Sequence, residues 1–250
     1  MRMNEAAANI KAIFKRELFG YFNAPVAYVF IVIFLLLLGF FTFYISNFFE
    51  MGQADLRSFF SWHPWVYLLL IPALAMRLWA EERRLGTIEL VLTLPLSVTE
   101  AIIGKFLAAW VFIGFALFFT FPMVLTVLYL GQPDIGAILC AYVGSFLMAG
   151  AFLSVGVMTS SLTKSQVISF ILAVVICLFF VMAGFPPVIN AMSDWAPLWL
   201  INLISKSSFM FHFIAIERGV LDLRDVLYYV SVIVFMLFLN GLVIQNRKAS

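Results

Sequence analysis

Charge is what this chain lacks most. Only 11% of its 250 residues are Asp, Glu, Lys or Arg, and 64% are hydrophobic. A water-soluble domain carries about a quarter charged residues, so the composition points instead to a polytopic membrane protein. Only two cysteines occur, Cys140 and Cys177, each inside an apolar run. That argues against a disulfide framework and leaves them as small packing residues. No HExxH, GxSxG or GxxxxGK[ST] pattern is present, so the chain offers no zinc-protease site, no nucleophile elbow and no P-loop for ATP. Asp and Glu are missing from the middle of every apolar run, where an ion-coupled carrier keeps such a group. No basic patch with interleaved aromatics suggests nucleic acid. The first apolar run begins near Val26 without a small-residue cleavage site, so it is expected to stay as a span.

What is there is length. Six apolar runs can cross about 30 Å of hydrocarbon as helices: roughly Val26–Ser46, Trp65–Trp79, Phe106–Leu130, Ile135–Thr159, Val167–Phe185 and Val226–Ile244. The second is the shortest and is expected to continue through Ala80 into a charged stretch. None alternates like a barrel strand, so the fold class is all-α. An even number of spans puts both termini on one side. With the termini inside, that side holds Arg2, Lys11, Lys15, Arg16, Arg77, Arg83, Arg84, Lys105, Lys164, Arg247 and Lys248; the outside holds only Arg57, Lys206, Arg218 and Arg224. The positive-inside bias therefore makes both termini cytoplasmic.

Three pieces do not span. In "NIKAIFKRELFGYFNAP", Ile10, Ile13, Phe14, Leu18, Tyr21 and Phe22 fall at helical spacing, with Lys11, Lys15 and Arg16 off that stripe. This reads as an amphipathic helix in the headgroup region, or simply a basic topology anchor, ended by Pro25. In "RLWAEERRLGTIELVLTLP", Gly86 breaks a charged helix. Thr87 can cap a short helix from Ile88 that carries Glu89, Leu90 and Leu92 and that Pro95 stops. "SVTE", Ser97 to Glu100, has the capping-box spacing that starts the next helix. The apolar turn either dips into the membrane surface or meets a protein partner. The third piece, 186–225, lies outside and holds two apolar stretches, near Trp195–Ile204 and Phe209–Ile216, too short to span and suited to re-entrant or interfacial helices.

Few polar groups remain to carry chemistry. His63 and His212 fall near span ends and read as interfacial polar residues; an enzyme built on either would need a nucleophile or metal partner, and none stands out. Arg77 either snorkels to the headgroups or pairs with Glu81, four residues on, or with Glu17. Within the spans, Thr42, Tyr44, Ser46, Ser169 and Asn240 are the best candidates to line a path. So little polarity suits a lipid-like or amphipathic substrate, or none.

Taken together, these residues resemble the permease subunits of ABC-2 type ABC transporters. "FKRELFGYFNAPVAYVF" is similar to that family's connecting helix and first span. "AMRLWAEERRLGTIELVLTLPLSVTEAIIGKF" is similar to its most characteristic stretch, and "HFIAIERGVLDLRDVLYY" to the segment leading into its last span. The likeness is strongest to short permeases of the gliding-motility and copper-enzyme-maturation subgroups. It implies a cytoplasmic connecting helix (1–25) and a six-span domain (26–250) in a bacterial inner membrane, with a coupling loop at 80–105. It implies a partner ATPase on a separate chain, which would carry ATP and Mg, and a second permease, identical or not. It gives this chain no cofactor, metal or catalytic residue. Glu81, Glu82, Arg83, Arg84, Gly86, Thr87, Ile88, Glu89, Leu90 and Leu92 would then couple to the ATPase, with Glu17 and Arg77 as a relay. The path would lie between bundles, against the first, second and fifth spans. Some relatives work with accessory extracytoplasmic proteins, so a mechanotransmitter that passes ATPase motion to such a partner without transport is the rival reading.

Overall fold

In the computed structural model, which describes residues 2–86, 97–193 and 196–246, the backbone first leaves the helical region where the sequence requires it. Ala24 precedes Pro25 and is extended (φ −97°, ψ 132°), because a proline clashes with a helical residue before it. It separates α1 (Arg2–Asn23) from α2 (Pro25–Phe40), which runs on through a wide π-helical turn at Phe41–Ile45. Then come α3 (Arg57–Phe60), α4 (His63–Ala75) and α5 (Arg77–Leu85). Next follow α6 (Val98–Phe118), α7 (Phe121–Leu130), α8 (Ile135–Leu162) and α9 (Gln166–Met182). The last four are α10 (Pro186–Ser193), α11 (Leu198–Lys206), α12 (Phe209–Glu217) and α13 (Leu223–Asn246). The fold is an all-α polytopic membrane bundle.

Among the described residues, five helical stretches are long and apolar enough to cross a membrane: Pro25–Ile45, Arg57–Leu85, Val98–Leu130, Ile135–Leu162 and Leu223–Asn246. The expected fifth span forms as α9, 17 residues long, or about 25 Å at 1.5 Å per residue. It bends by 65° into α10, and α11 bends by 70° into α12. The third span is broken at Phe119 and Thr120, just before Pro122 at the start of α7.

α8 is the hub. It packs against α4, α5, α6, α9, α12 and α13, and 67% of its span is buried, against 28% for α2 and α13. Its sequence explains this. Small residues such as Ala141, Gly144, Ser145, Ala149 and Gly156 recur along it, and small residues let helix backbones approach closely in a membrane. α2 and α13 instead present Val29, Ile33, Leu36, Val234 and Phe238 outward, as lipid-facing helices do.

Two sequence expectations are corrected. The apolar stripe of α1 does not face headgroups alone: it packs on α6. Ile13 is buried, and Tyr21 stacks on Phe112 with ring centres 5.0 Å apart. Gly104 of α6 permits this fit, since a Cβ there would lie 2.7 Å from the Ile13 side chain. Likewise Thr42, Ser169 and Asn240 line no open path; all three are buried within the bundle. A polar side chain inside such a bundle is sheltered from lipid, which is why it turns inward.

Candidate functional site

The charged stretch after the second span forms α5, and its first turn lacks a cap of its own: Met76 supplies no side-chain bond. The hub helix supplies one. Ser160 of α8 accepts from the Trp79 and Ala80 amides at 3.0 Å each and donates to the Met76 carbonyl at 3.0 Å. Orphan N–H groups at a helix start must find such partners when buried. One turn on, the Arg83 guanidinium donates to the Ser161 carbonyl. Gly86 closes α5 in the left-handed region, φ 72°, which glycine adopts without the strain a Cβ brings.

The centre of this end is Lys105 of α6, 3% exposed. Its ammonium donates to Glu82 of α5 at 2.7 Å, to Glu17 of α1 at 3.3 Å and to the Leu78 carbonyl at 3.3 Å. Those three bonds use all three of its protons. Its Nζ also lies 5.2 Å from the centre of the Trp79 ring, within cation–π range. Burial alone would raise the Glu17 carboxyl; the Lys105 ammonium and the neighbouring Arg16 guanidinium outweigh it and hold the group below its ordinary range. Lys105 thus joins α1, α5 and α6 at one buried point.

The helix that resumes at Val98 is tied to α1 as well. Ser97 and Glu100 form the expected capping box, each bond 3.2 Å, and Glu100 also accepts from Asn9 at 3.0 Å. Both flanks of residues 87–96 are therefore fastened to the same N-terminal helix. A cavity of about 300 Å³ opens beside this junction, lined by Glu17, Tyr21, Arg77, Glu81, Glu82 and Lys105.

Glu81, Glu82, Arg83, Arg84 and Gly86 sit together on α5 and its cap, as the sequence suggested. Glu82 and Arg83 point into the bundle, while Arg84 is exposed. Thr87, Ile88, Glu89, Leu90 and Leu92 lie outside the described residues. Arg77 takes Glu81 as its partner, at 3.1 Å. Of the two partners open to Arg77 the structure thus shows Glu81, while Glu17 is paired with Lys105 and Arg16. Lys105, Ser160, Ser161 and Asn9 were not picked out from sequence. One signal was available for Lys105, a lone cation two turns inside an otherwise apolar helix; Ser160, Ser161 and Asn9 carried none.

At the opposite end, both histidines are buried within the protein. His63 is fully enclosed among Phe59, Phe60 and Tyr67, with Nδ1 3.2 Å from the Phe59 carbonyl. His212 has the carboxylate partner that sequence inspection missed, Asp225, with Nδ1 2.6 Å from its Oδ1.

The fold is thus a multi-pass helical membrane bundle with a charged cluster at one end that links three of its helices. A family model described as ABC-2 family transporter protein matches residues 12–244. The chain belongs to that family, and so is a permease component of an ABC transporter, working with an ATPase on a separate chain. A search of curated proteins found no match.

Proposed function

We propose that this permease receives the closing motion of its ATPase at residues 80–105 and passes it to the spans through Lys105. The observation that carries this reading is the buried ammonium shared by Glu17 and Glu82. It makes α1, α5 and α6 move together, directly beside the segment that would dock. Arg84 and the apolar residues Ile88, Leu90 and Leu92 are the docking residues, with Glu89 the charge a groove would read. This end, with both termini, faces the cytoplasm of a bacterial inner membrane. Two permease chains pair, identical or not, and rock between inward and outward states. Within the family, the likeness of residues 75–106 and 212–229 supports a place among the gliding-motility and copper-enzyme-maturation permeases.

The cargo is lipid-like. An open groove of about 480 Å³ runs between α2 and α4, with Val29, Ile33 and Leu70 on its wall and Arg77, Glu81 and Arg84 at its mouth. An apolar wall ending on charges suits an amphipathic molecule better than a polar solute. The mechanotransmitter reading keeps one observation in its favour: Thr42, Ser169 and Asn240 are enclosed in the bundle and are not offered to a permeant.

Glu89→Arg tests the docking role. In nanodiscs, the variant is expected to lose copurifying ATPase, because an unpaired interfacial charge costs several kcal/mol and about 2.7 kcal/mol already means a hundredfold in affinity. A membrane anchor would instead tolerate or favour a cation there. A full complement of ATPase with normal turnover sinks the docking assignment.

A further inference from the structure

The segment leading into the last span carries a feature that coupling does not use. α11 ends at Lys206, the chain turns, and α12 begins at Phe209. Side chains from beyond the turn hold its carbonyls. His212 Nε2 lies 2.9 Å from the Lys206 carbonyl, the Tyr228 hydroxyl donates to the Ser207 carbonyl, and the Tyr229 hydroxyl donates to the Phe209 carbonyl at 2.7 Å. The His212 ring also stacks on Tyr228, centres 3.9 Å apart. Three side chains of α12 and α13 thus clamp the turn after α11.

Counting protons on the ring gives the consequence. A carbonyl oxygen only accepts, so Nε2 must carry a proton. Nδ1 faces the Asp225 carboxylate at 2.6 Å, and a carboxylate also only accepts. The two contacts together need one proton more than neutral imidazole and carboxylate hold. That proton belongs on the ring, because the C-terminus of α11 presents its partial negative charge to Nε2 while Asp225 faces Nδ1. We propose that His212 is a doubly protonated latch: as an imidazolium it joins the turn after α11 to the head of the last span, and loss of its Nδ1 proton to the extracytoplasmic side breaks the bond to Asp225 and frees that turn from the span. Deprotonation at Nδ1 would leave a ring lone pair against a carboxylate oxygen, with a net negative charge in a buried site.

The surroundings leave this pair in charge of its own state. α8 and α9, which pack on α12, carry no Asp, Glu, Lys or Arg; their titratable groups are Cys140, Tyr142 and Cys177. On the other elements, Lys206 and Arg224 have exposed side chains, Glu217 and Arg218 lie at the far end of α12, Asp222 precedes α13, and Tyr228 and Tyr229 are engaged as above. The turn at stake carries α11, which presents Leu198, Trp199 and Leu203 outward, so its release moves an exposed apolar face of this end.

The test uses the full chain in lipid nanodiscs, labelled with 15N-histidine. Only two rings contribute, His63 and His212, and His212 is assigned by its loss in His212→Gln. At pH 6 its two nitrogens should both read as protonated, and on raising the pH one should become bare. Over the same range, deuterium exchange of backbone amides in 200–213, corrected for intrinsic rate, should lose about tenfold or more protection, as expected for losing a hydrogen bond between charged groups. Asp225→Asn should abolish that pH dependence, because its amide can donate to a bare Nδ1 and accept from a protonated one. A bare nitrogen on His212 at pH 6 overturns the proposal. So does protection that ignores pH, or that falls equally in Asp225→Asn. If Asp225→Asn does not insert, the wild-type spectrum and exchange still decide.

Discussion

Replacing Lys105 by methionine keeps most of the side-chain volume and removes the charge. Glu17 and Glu82 would then face each other's former cation with none between them. Removing one partner of a fully buried pair costs about 3–5 kcal/mol. Here the two carboxylates keep about a fifth of their side-chain exposure, 20% and 19%, and Glu17 keeps Arg16 at 2.7 Å. Water and Arg16 therefore absorb part of the loss, and about 2–3 kcal/mol is expected. For a chain of this size that corresponds to a fall in melting temperature of roughly 5–10 °C. The assay is thermal unfolding of the purified chain in nanodiscs, beside ATP turnover of the assembled transporter. Turnover should fall further than the stability loss explains, since α1 and α5 no longer move as one. The combined variant Glu17→Gln, Glu82→Gln, Lys105→Met removes all three charges of the buried junction, leaves Arg16 in water, and should recover most of the melting temperature without recovering turnover. A single variant that melts within about 1 °C of wild type would refute the argument, because a group this enclosed cannot lose its charge silently. Equal loss in the single and combined variants would refute it too.

Glu17 is held below its ordinary carboxyl range, so its contribution to stability is complete above pH 4.5 and disappears as pH falls through the lower folded-state value; acid melts should show α1 weakening in that window, and Lys105→Met should flatten the effect. Gly104→Val places atoms against Ile13, where even a Cβ would sit at 2.7 Å; overpacking of about 1–3 kcal/mol should lift α1 from α6 and raise protease cleavage within residues 5–23. Ser160→Ala strips the cap from the Trp79 and Ala80 amides; a cost of about 1–3 kcal/mol should appear as faster hydrogen exchange at those two amides, with Ser160→Thr nearer to wild type.

What the sequence by itself determined was everything written over a few neighbouring residues. The positions of the apolar runs, the break at Ala24–Pro25, the stop at Gly86 and the capping box from Ser97 to Glu100 all depend on spacings of four residues or fewer, or on the hydropathy of one helix, and each appears in the structure, though the third run is broken at Phe119–Thr120 and the fifth ends at Met182. The tertiary structure alone decided the rotation of each helix about its axis. Hydropathy cannot specify it here, because a helix such as α8 is apolar or small on every face and any face could turn inward. That rotation is what carried Lys105 to Glu17 and Glu82, 88 and 23 residues away, and Ser160 to the start of α5 some 80 residues earlier. It also enclosed His63 and Asn240, which hydropathy alone leaves free to face lipid, water or protein. In a membrane the burial of apolar surface does not choose among helix faces, so close packing of small residues and the need to satisfy a few polar groups make the choice, and those are properties of pairs of helices.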